Sequence, residues 1–180
     1  MPHNLLKEYP QCLELLHLDN YNRIQSLKRI FKRDIEDNHN FIFNKKVIRP
    51  IKAKDGLTAM EVLFQHLTHE SIVEKRNGRN YSSRNVFEIE RSKRLHWIKF
   101  LVDGNKRNNI EIFSVKERDK EKRKDVIKTY IYDIDQKYII VFEPQRSNKD
   151  YYLLTAFYLD KPWGEKQMKK KLKKKLTELY

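Results

Sequence analysis

Between residues 109 and 159 the apolar residues of this chain recur with a period of two, after a helical period in the first hundred residues. That change constrains the fold more than any other feature. Four runs carry it: NIEIFSV (109–115), VIKTYIYDI (126–134), KYIIVFE (137–143) and YYLLTAFYL (151–159). β-Branched and aromatic residues alternating over such lengths read as strands. A tight turn at Asp135 and Gln136 joins the second to the third, and PQRSNKD joins the third to the fourth. Links this short favour antiparallel neighbours. The third and fourth runs are apolar on both faces, which predicts central strands covered by helices.

The earlier half reads mainly as helices. Residues 19–36 place Ile24, Leu27, Ile30, Phe31 and Ile35 on one stripe behind an Asp19 or Asn20 cap. FIFNKKVIRPI (41–51) predicts one or two short strands as an edge pair. Thr58 and Glu61 form a capping-box pattern opening a helix that runs to about His69, with Met60, Leu63, Phe64 and Leu67 inward. EKRNGRNYSSRN (74–85) reads as a polar loop around Asn77 and Gly78. Asn85 and Glu88 form a second such box, predicting a helix over 86–102 that buries Phe87, Leu95 and Ile98 and stops at Asp103 and Gly104. In the tail, Met168, Leu172, Leu176 and Leu179 share one helical face among lysines. The expected fold class is therefore α+β: N-terminal helices, a four-stranded antiparallel meander and a basic C-terminal helix. The expected division is an extension over 1–55, a central domain over 56–163 and a lysine-rich helix over 164–180.

The chain has 180 residues and a formal charge of +14. Its last twenty residues hold eight lysines against two glutamates, a share of +6, so the remaining +8 is spread over the rest. Such a field favours polyanions, nucleic acid before an anionic membrane surface. Cys12 is the single cysteine, which excludes an internal disulfide and fits a reducing, cytoplasmic setting. No apolar run approaches the ~18 residues that span a bilayer, and no secretory leader is visible.

Several chemistries find little support. His66 and His69 lie three apart, but a zinc site needs a third ligand and HExxH is absent. DIDQK (133–137) contains the acid-x-Lys triplet of metal nucleases of the PD-(D/E)xK type, with Asp103, Asp119 or Asp125 as the upstream acid. That triplet spans a predicted turn, where Asp is ordinary. Four glycines are too few for a phosphate-cradling loop, and neither dinucleotide nor P-loop spacing occurs. Metal-free RNA cleavage remains: a base takes the 2′-hydroxyl proton, an acid protonates the departing 5′-oxygen, and cations hold the phosphate. Alternate residues of a sheet can present such groups together, and Lys128, Tyr130 and Tyr132 share one face of the second predicted strand.

FEIERSKRLHWIKFLVDG, KRKDVIKTYIYD, KYIIVFEP and YYLLTAFYLDKP follow one another in order over residues 87–162. This succession resembles the phage-associated nuclease domains of the barnase–EndoU–colicin–RelE superfamily, where an Arg-x-x-Arg-Leu-x-Trp-Ile pattern precedes a four-stranded meander, and the resemblance covers roughly residues 57–163. The resemblance implies a metal-independent endoribonuclease over 56–163 that acts as a toxin or phage-type effector. Its product would be a cyclic phosphate. It implies no cofactor, RNA as partner, an acidic inhibitor protein as a further partner, and no membrane. By position it implies His96, Lys128, Thr155 and Tyr158 as catalytic residues, with Arg91 and Arg94 on phosphate. Lys169, Lys170, Lys173 and Lys174 of the tail would hold the backbone. The family's common tyrosine after Thr-Ala is here Phe157, which leaves Tyr158 as its substitute only if the strand bulges. A non-catalytic RNA-binding or phage structural module on the same fold is the alternative from another class.

Overall fold

The structure is a computed structural model and describes residues 2–76, 79–119, 123–145 and 149–180. A short turn of helix at the N-terminus leads into an extended segment and then α1 (Asn20–Phe31), capped by the Asp19 side chain and continued by a wider turn over Lys32–Glu36. β1 (Ile42–Phe43) and β2 (Lys46–Arg49) form a hairpin through Asn44 and Lys45, both with positive φ. α2 (Ala59–Thr68) starts at the expected Thr58–Glu61 capping box. β3 (His69–Arg76) and β4 (Arg79–Phe87) follow, then α3 (Ile89–Ser92) and α4 (Trp97–Val102). β5 (Ile110–Asp119), β6 (Lys124–Asp133), β7 (Tyr138–Pro144) and β8 (Asp150–Tyr158) precede α5 (Pro162–Leu172).

The α+β class holds, and the four predicted strands form an antiparallel meander with β7 and β8 central. The main sheet nevertheless has six strands, ordered β1-β2-β8-β7-β6-β5, where four were expected. It is mixed, because β2 lies parallel to β8 with Val47, Ile48 and Arg49 opposite Asp150, Tyr151 and Tyr152. The reason is burial: Phe43 stacks 5.2 Å from Phe142 and touches Tyr151, so the 41–49 hairpin continues the core rather than standing apart. Leu13, Leu15, Leu27, Ile30 and Phe41 share that core with Ile98, Ile140, Leu153 and Ala156. The segment expected as an extension therefore packs on one face of the sheet. The opposite face carries a smaller cluster of Phe113, Val115, Tyr130, Tyr132, Ile139 and Val141, on which α5 sets Met168 and Leu172.

Three local expectations are corrected. The polar stretch 74–85 is not a loop: its described residues belong to the β3–β4 hairpin, and Asn77 and Gly78 lie outside the described residues. The 86–102 helix is two short ones, because β4 runs on through Phe87 and Glu88, not Asn85, caps α3 by accepting from the main-chain N–H groups of Glu90 and Arg91. Residues 94, 95 and 97 then bond three residues back, to Arg91, Ser92 and Arg94, in a tight turn that moves His96 off any helical meridian. Finally, the tail helix ends at Leu172; Leu176 and Leu179 continue instead past β5, where Leu176 N–H donates to Ser114 O at 2.8 Å.

Candidate nucleic-acid interface

Arg91, Arg94, Thr155 and Tyr158 meet where α3 crosses β8. β2 covers β8 only as far as Tyr152, and beyond it the C-terminal end of α2 closes the strand edge. There the His66 ring Nδ1 donates to Leu154 O at 3.1 Å, and Thr155 Oγ1 donates to His66 O at 3.1 Å. Arg91 Nη1 donates to His66 O at 2.8 Å, His69 O at 3.2 Å and Thr155 Oγ1 at 3.3 Å. A cation on the last carbonyls of a helix is favoured by the helix dipole. Burial lowers the pKa of Arg91, whose side chain is 14% exposed. Arg94 donates to Glu90 O and Glu90 Oε2, and its guanidinium lies 3.9 Å from the Tyr158 ring centroid. The strand does bulge, with Leu154 as the extra residue between the Val141–Thr155 and Phe142–Leu153 pairs. The bulge precedes both Phe157 and Tyr158, so these still take opposite faces, Phe157 with Ile139 and Tyr158 with Tyr138. Arg91 Nη1, Arg94 Nη1 and Thr155 Oγ1 are thus committed to joining elements, while the buried Nε atoms of Arg91 and Arg94 have no hydrogen-bond partner among the described residues.

His96 is elsewhere. Its ring is 6% exposed and packs beneath residues 8–11 of the N-terminal segment, beside Trp97, whose Nε1 donates to Gln11 O at 2.9 Å. The carbonyls of Glu8 and Gln11 lie near the ring without good hydrogen-bond geometry, and among the described residues neither ring nitrogen has a partner. Burial pushes its pKa down to about 4, against a smaller upward pull from Asp34. His66 and His69 do not pair as metal ligands: His69 begins β3 and bonds Thr68, and among the described residues no group of three His, Cys, Asp or Glu could hold a metal. Asp133 and Asp135 of the acid-x-Lys stretch both bond Lys106.

Lys128 projects from the opposite sheet face, in register with Val115 and on the side of Tyr130. Its Nζ is 3.8 Å from Glu117 Oε2. Glu117 Oε1 also accepts from the Tyr130 hydroxyl at 3.0 Å and from Lys171 of α5, whose ammonium donates to the Tyr130 oxygen at 2.9 Å. Two ammonium groups and a buried tyrosine hydroxyl therefore share one carboxylate. Burial, then the charge of Glu117, raises the Tyr130 pKa, which keeps its hydroxyl a donor. The side chains of Glu117, Lys128 and Lys171 are 19%, 26% and 29% exposed, so solvent reaches the cluster. Lys169, Lys170, Lys173 and Lys174 stand exposed on α5 and the turn after it, and none forms an ion pair among the described residues.

The structure thus splits the expected site. Arg91, Arg94, Thr155 and Tyr158 come together at a structural seam, His96 is buried alone, and Lys128 joins the tail lysines on the other face. Glu117 and Lys171 were missed. The strand read as ending at Val115 runs on to Asp119, so the alternation Phe113, Val115, Glu117 held the signal. A pocket of about 330 Å³ opens between residues 12–17 and α3, and none of the expected catalytic residues lines it. Compared with protein-family models, curated proteins and solved structures, the chain gives no match.

Proposed function

We propose that this protein binds RNA across the sheet face that carries Lys128 and α5, and cleaves it there as a metal-independent endoribonuclease. The observation that carries the reading is the meeting of Lys128, Lys171, Tyr130 and Glu117 on one solvent-reached face beside unpaired tail lysines. Two ammonium groups against one carboxylate leave an excess positive charge where a phosphodiester can sit. Lys169, Lys170, Lys173 and Lys174 extend that charge along the nucleic-acid backbone. On this reading His96 and Thr155 support the fold rather than the reaction. A toxin or phage-type effector role, and an acidic inhibitor seated on the same basic face, fit the charge and rest on the sequence resemblance. No helix among the described residues is long and apolar enough to cross a membrane.

The purified chain, incubated with a mixed-sequence RNA in EDTA, is expected to release fragments ending in 2′,3′-cyclic phosphate. Cleavage that vanishes in EDTA counts against the metal-free chemistry. A second reading, a non-catalytic RNA-binding module, is favoured by the internal bonding of Arg91, Arg94 and Thr155. Tight, salt-sensitive binding of intact RNA with no fragments would select it.

A further inference from the structure

We propose that Glu117 is the general base of this reaction, with Tyr130 as its positioning residue and Lys128 and Lys171 as the groups that receive the scissile phosphate. This rests on the endoribonuclease reading above and assigns proton transfer to a residue that neither residue pattern nor resemblance singled out. The geometry that carries it is specific. Glu117 leaves β5 on the same face as Lys128 and Tyr130 of β6, and the Tyr130 hydroxyl fixes one carboxylate oxygen, Oε1. Tyr130 is itself held by stacking on Phe113, with ring centroids 5.2 Å apart. Among the described residues, the second oxygen, Oε2, faces only the looser Lys128 contact at 3.8 Å. It is the atom with capacity for a further proton.

Phosphate entry rearranges the charges. Each lysine now sharing Glu117 has a stronger partner in a phosphodiester oxygen, and Lys171 reaches the site from a helix whose neighbouring lysines hold the same strand of RNA. The carboxylate is then released from its cations and faces the 2′-hydroxyl. The 2′-hydroxyl gives its proton to Glu117 Oε2 as its oxygen bonds to phosphorus. The bond from phosphorus to the 5′-oxygen breaks, and that oxygen takes a proton from an ammonium, Lys128 or Lys171. The products are a 2′,3′-cyclic phosphate and a 5′-hydroxyl end. The proton on Glu117 returns to the neutral lysine through water, so no oxidant, metal or co-reactant enters.

The test measures cleavage of a fluorescent oligoribonucleotide in EDTA from pH 4.5 to 9, using the full chain. Wild type, Glu117→Gln, Glu117→Asp and the exposed control Glu36→Gln are compared, with RNA affinity measured beside the rates. Glu117→Gln is expected to lower kcat at least about a hundredfold, with KM within about threefold. It also abolishes the fall in rate toward acid pH that a carboxylate base imposes. RNA affinity stays equal or rises, since one negative charge is gone. Glu36→Gln leaves all three unchanged. Should Glu117→Gln not fold, Glu117→Asp decides: it keeps the charge and withdraws the carboxylate by one methylene, and a slowed rate with unchanged affinity supports the assignment. Wild-type cleavage that survives both substitutions with its pH profile intact overturns Glu117 and leaves the endoribonuclease reading standing. A wild type that binds RNA and never cuts it overturns both.

Discussion

His96 is the residue whose surroundings differ most from its sequence context. Four cations neighbour it in RSKRLHWIKF, yet its ring lies beneath the N-terminal segment with its pKa held down to about 4. The unfolded chain binds a proton there at an ordinary histidine pKa of about 6.5 and the folded chain does not. The stability this neutral ring permits is therefore complete above pH 6.5. It declines as pH falls from 6.5 toward 4, by roughly 3 kcal/mol at the limit. Urea titrations at pH 7 and pH 4 check this: the loss between them is expected to be about 3 kcal/mol smaller in His96→Leu than in wild type. The same substitution is expected to leave RNA cleavage at pH 7 within about threefold of wild type, since the ring touches no part of the Lys128 face. Sequence alone could not place this ring. Helical spacing from residue 86 sets it at the edge of a long helix, and only the tight turn at residues 93–96, closed by bonds to Arg91 and Ser92, carries it inward.

At the scale of elements, Arg91 is the joint between α2, α3, β3 and β8, through carbonyls of His66 and His69 and the Thr155 hydroxyl. Removing it leaves buried acceptors without their charged donor. Arg91→Ala is expected to cost about 3 kcal/mol in denaturant titration, well above the surface average, and Arg91→Lys to recover part of it, because one ammonium with three donors can replace the single Nη1 group that makes all three contacts. The elements themselves were largely legible. The period-two runs gave β5 to β8 in order, and Thr58 with Glu61 gave the start of α2, because those signals are local. The ends were less so: whether residues 86–88 continue a strand or start a helix depends on Glu70 and His69 opposite Val86 and Phe87, contacts no local pattern contains. The candidate site was legible for Lys128, through alternation with Tyr130, and not for Lys171, whose partner lies fifty-four positions away.

Across the whole molecule, the two faces of the sheet are covered differently. One face packs against the apolar sides of α1, α2 and the N-terminal segment, while the other bears Lys128 and α5. RNA binding is expected to weaken steeply with salt. Replacing both Lys169 and Lys173 by Gln should lower the slope of log affinity against log salt by about 1.4, at 0.7 per lost phosphate contact on a single strand. Titrations at several salt concentrations read that slope directly, and an unchanged slope would take α5 off the RNA path. The mixed sheet could not be foreseen from the sequence, since four short residues, KVIR, say nothing of which distant strand they will join. That union of Val47 with Asp150 has a consequence for biogenesis. A ribosome delivers β2 about a hundred residues before β8, so the β1–β2 hairpin leaves the exit tunnel with no strand to join and stays unpaired until β8 follows. Its open edge is the part of this nascent chain expected to need chaperone cover longest.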